Sequence, residues 1–494
     1  MAAFHSLPSE LLLPILTPLP ESSLVRCASV NRNWNAFATP LLYRRVAVYR
    51  WQRYAKTRAV SLMQTLAQRT EVARWVKRID VLDFYDGFEN ELRQEEEQDA
   101  VFQCCAQGLA NCVNLESCTW QVHNALTSQI LIALASLPRL QRLEINAHPG
   151  TYEPADLIRV RQIRALRLTM PDKAAIDVLL RWLTAMCVEG TDEERGTEIG
   201  LHELKIICQS TNYYIGSKQL TKLAPYLTQL KSLHLRDCPN ADHIGVYTIL
   251  RGCSFRMEDL CLERISPDFD LKELATGLKL PRLKSLTLTL PAPPSPPQVF
   301  FDAILELTAE SPLTALSLSL SANHSLYAYG PAPSDCEFSA SFVRSLARRH
   351  AQTLREIVII RLPTPLEAVE VLAAYCPKLE VLIIPGEEFD WPRLGEAISA
   401  KSLPFLRKLH MSFPIDPLIR LITTHELIPL SRLRDLAETC SSTLKHIGEF
   451  HEVYEVVRRW DRETDTTSVV LEQRTVIPEG YRTGLLEAYR TMWP

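Results

Sequence analysis

The residues from Leu230 to Cys238, LKSLHLRDC, constrain this chain more than any other stretch. They read Leu-x-x-Leu-x-Leu-x-x-Cys. Leu233 and Leu235 stand two apart, so on a strand both point to one face. Leu230 marks the bend into the strand, and Cys238 the turn out of it, where a small side chain can stack inside. One such unit cannot bury its own apolar face and needs similar units on either side. The same phase recurs at Leu140/Leu143/Ile145, Ile163/Leu166/Leu168, Leu201/Leu204/Ile206, Met257/Leu260/Leu262 and Leu283/Leu286/Leu288. It continues at Leu313/Leu316/Leu318, Leu354/Ile357/Ile359, Leu379/Leu382/Ile384, Leu406/Leu409/Met411 and, more weakly, Leu444/Ile447. Two degraded copies precede these at Val76/Ile79/Val81 and Leu115/Cys118/Trp120. The wide gaps, 163 to 201 and 313 to 354, each require an insertion or an unrecognised unit. Helical patterns such as Leu220-Leu223-Leu227 lie between the units. Strand, turn and helix repeated about a dozen times predict an α/β solenoid.

That unit resembles the leucine-rich repeat. The resemblance implies a horseshoe with parallel strands inside and helices outside.

Residues 4–46 do not follow the repeat. Leu7-Pro8 fixes an extended start, and Ser9 is expected to cap a helix carrying Leu11, Leu12, Ile15 and Leu16. Leu19-Pro20 breaks it. Ser22 or Ser23 is expected to cap a second helix with Leu24, Val25 and Ala28, and Asn31 a third with Trp34, Phe37 and Ala38. Three helices this short bury too little to stand alone. The string Leu7-Pro8-x-Glu10-Leu11-Leu12-x-x-Ile15-Leu16-x-x-Leu19-Pro20, then Leu24 and Val30-Asn31-Arg32-x-Trp34, resembles an F-box. The resemblance implies docking on the Skp adaptor of a Skp–cullin–F-box ubiquitin ligase. By motif position the adaptor-binding set would be Leu7, Pro8, Leu11, Leu12, Ile15, Leu16, Leu24, Val30 and Trp34. Pro14 departs from a regular helix, because it removes the bond to the Glu10 carbonyl. The expected domains are an F-box at 1–48, a helical linker with a first degenerate repeat at 49–113, the solenoid at 114–450, and a cap and tail at 451–494. The cap rests on Val453–Trp460 and Thr466–Arg474, which alternate like a hairpin. Leu485–Trp493 is expected to add a last helix.

Charge agrees with docking. Residues 1–60 hold eight bases and two acids, a net +6 in a chain of net −4. Such an island favours an acidic partner surface. No DNA motif or aromatic platform accompanies it, so nucleic acid is not expected. The 13 cysteines are odd in number, scattered, and form no C-x-x-C pair. Reduced structural thiols in a cytosolic or nuclear protein are expected, with no metal. No apolar run is long enough to span a membrane.

No catalytic constellation is present: no GxGxxG, HExxH, GxSxG or phosphate loop. His202, His234 and His410 fall at outward strand positions on separate repeats and read as surface residues. A non-catalytic receptor needing no cofactor is expected. The other reading is a repeat scaffold whose first helices serve elsewhere. Along the inner face, early strands offer mixed charges, the middle ones Ser285, Thr287, Ser317 and Ser319, and the late ones Val358, Ile360, Val381 and Ile383. An exposed apolar set of that kind marks a partner site, unless the C-terminal tail covers it. These four, with Tyr327 and Tyr329 of a neighbouring loop, are the expected substrate contacts.

Overall fold

The structure is a computed structural model that describes residues 8–48, 55–82, 95–148, 151–188, 200–208, 214–290, 297–320, 337–385, 390–412, 428–449, 452–461 and 466–473. Tyr327, Tyr329, Leu7 and the segment 485–493 lie outside these residues. The chain divides into two compact units, Met1–Ser232 and Leu233–Pro494.

The first unit opens with α1 (Ser9–Leu16), α2 (Glu21–Ala28) and α3 (Arg32–Arg44). Asn31 caps α3 as expected, its side chain accepting from the Trp34 amide at 2.9 Å. The other caps differ. α1 and α2 follow Pro8 and Pro20, neither of which offers a side-chain acceptor, and the serines lie inside the helices. Proline's fixed φ starts each helix here instead of a hydroxyl. α3 runs directly into β1 (Arg45–Val48), a strand the repeat pattern does not announce. Behind it come β2 (Arg78–Val81), β3 (Ser117–Trp120), β4 (Arg142–Asn146), β5 (Ala165–Thr169) and β6 (Glu203–Ile207). They pair in parallel and in chain order, with Ile79, Cys118, Leu143, Leu166 and Leu204 in one register line.

The second unit repeats this plan. β7 (Ser232–Arg236) lies at the division, and β8 (Asp259–Glu263) to β14 (His446–Glu449) follow. Leu260, Leu286, Leu316, Ile357, Leu382, Leu409 and Ile447 share one register line, each buried. The wide gaps hold insertions and not missing repeats, since β5 pairs directly with β6, and β10 (Ala315–Leu320) with β11 (Glu356–Ile360). The expected hairpin is present: β15 (Glu452–Asp461) pairs antiparallel with both β14 and β16 (Thr466–Gln473). The fold class is therefore a short helical module followed by strand–helix repeats of leucine-rich type.

The registered leucines form the core because every second strand residue is apolar and faces the helices. Burying each is worth roughly 1.5–3 kcal/mol.

Candidate functional site

The helical module packs on its own small core. Leu12, Leu16, Leu24 and Ala38 are buried, and Leu19, Cys27, Trp34, Phe37 and Leu41 close around them. Leu12 and Leu16 are four apart and share the inward face of α1; Leu11 and Ile15 are also four apart and share the outward one. Five large apolar side chains therefore stay exposed within about two helical turns on α1 and beside α2: Leu11 at 49%, Leu13 at 48%, Ile15 at 43%, Val25 at 58% and Val30 at 59%. Pro8 and Pro14 are exposed beside them. The motif set thus splits in two. Leu12, Leu16, Leu24 and the half-buried Trp34 shape the module from within, while Pro8, Leu11, Ile15 and Val30 lie on its surface. Leu13 and Val25 join that surface and were missed, because a motif string records residue type and not helical phase. Phase alone would have found Leu13, which no inward position repeats.

The expected apolar patch at the other end is not open. Val358, Ile360 and Ile383 are 4%, 8% and 4% exposed, clustered with Val453, itself 1% exposed, while Val381 packs half-buried against them. The physical reason is β15. It pairs with β14 so that Val453 sits opposite Gly448, and the glycine leaves the apolar side chains free to meet. These four residues are core of the C-terminal cap, which corrects the expected substrate contact. His410 is likewise corrected: it is 1% exposed and buried under Gly448, not at the surface. His234 does stand partly open and meets the Asp259 carboxylate at 2.6 Å.

Twelve cysteines fall among the described residues, all free thiols. Burial pushes Cys105, Cys112, Cys253 and Cys440 up to about 12. Among the described residues no group of three His, Cys, Asp or Glu side chains is placed to hold a metal, and no helix is long and apolar enough to cross a membrane.

With this geometry in place, comparison with known proteins is informative at the first helices. A family model described as F-box-like matches residues 4–48. The chain carries an F-box-like domain. That match spans α1 to β1, so the module's own definition includes the first strand of the repeat ladder. No curated protein matches the chain. Among solved structures, a complex of Rad7 and Elc1 from yeast is similar at a TM-score of 0.43 and 16% identity, covering 73% of this chain and 89% of that one. A leucine-rich-repeat protein of Leptospira interrogans is similar at a TM-score of 0.27 and 12% identity, covering 80% of this chain and 99% of that one. The architecture is an F-box-like module followed by leucine-rich repeats.

Proposed function

We propose that this chain is a non-catalytic substrate receptor of a Skp–cullin–F-box ubiquitin ligase. In this reading the F-box-like module docks on the Skp adaptor, which links it to the cullin, and the repeats hold a protein substrate. Ubiquitin transfer belongs to other subunits. The observation that carries the reading is the row of exposed apolar side chains on a module matched as F-box-like. Exposed large apolar groups cost solubility, and a cluster of them usually marks a protein contact. The basic excess of residues 1–60 supports an acidic partner.

The test separates surface from core. Leu11→Asp with Ile15→Asp changes only exposed positions, so the protein should fold and melt normally but lose co-purification with the Skp adaptor. Leu12→Ala empties a buried position and should loosen the module itself, by about 2–5 kcal/mol. Undiminished adaptor binding by the Leu11/Ile15 pair would overturn the reading.

A further inference from the structure

In the first unit, the open face of the strands carries a set of polar side chains that the F-box-like module does not use. Its lower positions are charged. The Asp80 carboxylate is buried and shared by Arg45 at 3.1 Å and Arg78 at 2.9 Å. Glu203 is shared by Arg142 at 2.7 Å and Lys205 at 2.9 Å, and Arg167 stands 3.8 Å from Glu144. Five cations thus face three carboxylates on β1 to β6, and two of those carboxylates serve two cations each. Burial pushes the Glu203 carboxyl up, and the two cations more than offset this and hold it below its ordinary value.

Above the charges, at the C-terminal ends of the strands, lie Gln121, Asn146 and Thr169. Gln121 continues the ladder from β3 by donating its amide to the Val81 carbonyl at 2.8 Å, and Asn146 is the register partner of Thr169. Gln121 is 8% exposed, and its side-chain Nε2 has no hydrogen-bond partner. The buried Oγ1 of Thr169 has none either. A buried donor left unmade costs about 1–3 kcal/mol. Two of them on one open face therefore point to something that completes them. β3 and β5 are two strand spacings apart, roughly 10 Å, which is about three residues of an extended chain. Two positions down each strand, roughly 7 Å away, stand the surplus cations.

We propose that this face binds an extended acidic peptide lying across β3 to β6. Main-chain carbonyls of the peptide accept from the Gln121 amide and the Thr169 hydroxyl, and its carboxylates pair with Arg142, Arg167 and Lys205. The occupant is a peptide and not a flat polyanion, because unfilled neutral donors sit beside the cations. The proposal rests on the receptor reading for its biological meaning, but not on the adaptor contact.

The experiment uses the full chain and two labelled peptides, one alternating Glu and Ser, the other alternating Lys and Ser, followed by fluorescence anisotropy. A single-stranded oligonucleotide of matched charge is the third probe. The Glu peptide should bind saturably, at least tenfold tighter than the other two. Arg167→Gln and Thr169→Val should each weaken it roughly tenfold and fivefold. Gln121→Leu should do the same, and its melting temperature reports whether it folds. If it does not fold, Thr169→Val and Arg142→Gln, at a more exposed position, carry the test. Leu11→Asp with Ile15→Asp should leave peptide binding unchanged while removing the adaptor, so the two readings fail separately. Equal affinity for the three probes, or unchanged binding by Arg167→Gln and Thr169→Val, would overturn the proposal.

Discussion

Gly448 and His410 are register partners on β14 and β13, and no side chain fits between them. A methyl group on Gly448 would collide with the His410 ring and stand 2.7 Å from the Glu452 carbonyl oxygen. Neither neighbour can yield easily: the ring is buried and the carbonyl belongs to the start of β15. Gly448→Ala should therefore destabilise the C-terminal end by about 1–3 kcal/mol, as overpacking does. Chemical denaturation measures the loss. Hydrogen exchange should place it in the amides of residues 446–461. A neutral effect would mean that the two strands are not packed this way.

The cap makes a second prediction. Val453 lies in one cluster with Val358, Ile360 and Ile383. If that cluster is interior, a charge on either side of it must have the same consequence. Ile383→Asp and Val453→Asp should both unseat β15 and cost several kcal/mol, because a carboxylate cannot be buried unpaired. Ile383→Val should cost only about 0.5–1.5 kcal/mol. Thermal melting distinguishes these from a binding defect: an Ile383→Asp variant that melts normally would show the patch to be open after all.

What could be read from the chain, and what could not, divides along physical lines. The repeat phase was legible because a buried register line requires an apolar residue at every unit. Leu143 and Leu286 each sit where the spacing puts them. The hairpin was legible from the alternation of residues 453–460. Its position was not. Whether Val453 covers Ile383 depends on the pairing of β15 with β14, a long-range relation with no local signal in either strand. β1 escaped for a different reason. Only Val46 and Val48 mark it, and four residues directly after a helix carry too little periodicity to be seen. The F-box-like set was legible as a string, but its division into Leu12 and Leu16 inside and Leu11 and Ile15 outside needed helical phase. The polar group at Gln121 and Thr169 had no sequence signal, since glutamine and threonine on a strand are ordinary until their partners are known.

Thiol chemistry should follow burial. Cys27, Cys104 and Cys187 are half-buried, whereas Cys105, Cys112, Cys253, Cys376 and Cys440 are buried. From an ordinary value of 9.0, burial raises Cys376 to about 11 and the other four to about 12. The thiolate is the reactive form. Brief alkylation of the native protein at pH 8, read by mass spectrometry, should therefore modify the first three and spare the five until denaturant is added. The linkage has a definite sign. Below pH 9 both states keep the proton and these thiols add no pH dependence. Above it the unfolded thiols ionise while the native ones do not, so stability should fall as pH rises from about 9 towards 12. Rapid native labelling of Cys253 or Cys440 would contradict the packing described.

Arg458 fastens the cap to the last repeat. Its guanidinium donates to the carbonyls of Ala437 at 3.1 Å, Ser441 at 2.9 Å and Leu444 at 3.0 Å. Ala437 belongs to the last turn of the helix Leu430–Thr439, whose final carbonyls have no partner within the helix. One side chain thus serves the end of a helix, the turn after it and the approach to β14. A positive charge is also favourable at a helix C-terminus. Methionine has a similar stem and no donors, so Arg458→Met should leave three carbonyls short and cost about 1–3 kcal/mol. Lysine keeps the charge but is a single compact centre, not a planar fork. Arg458→Lys should therefore recover only part of the loss. Denaturant melts of the three proteins order them as wild type, lysine, methionine. If lysine were as stable as arginine, charge alone would suffice and the fork geometry would contribute nothing.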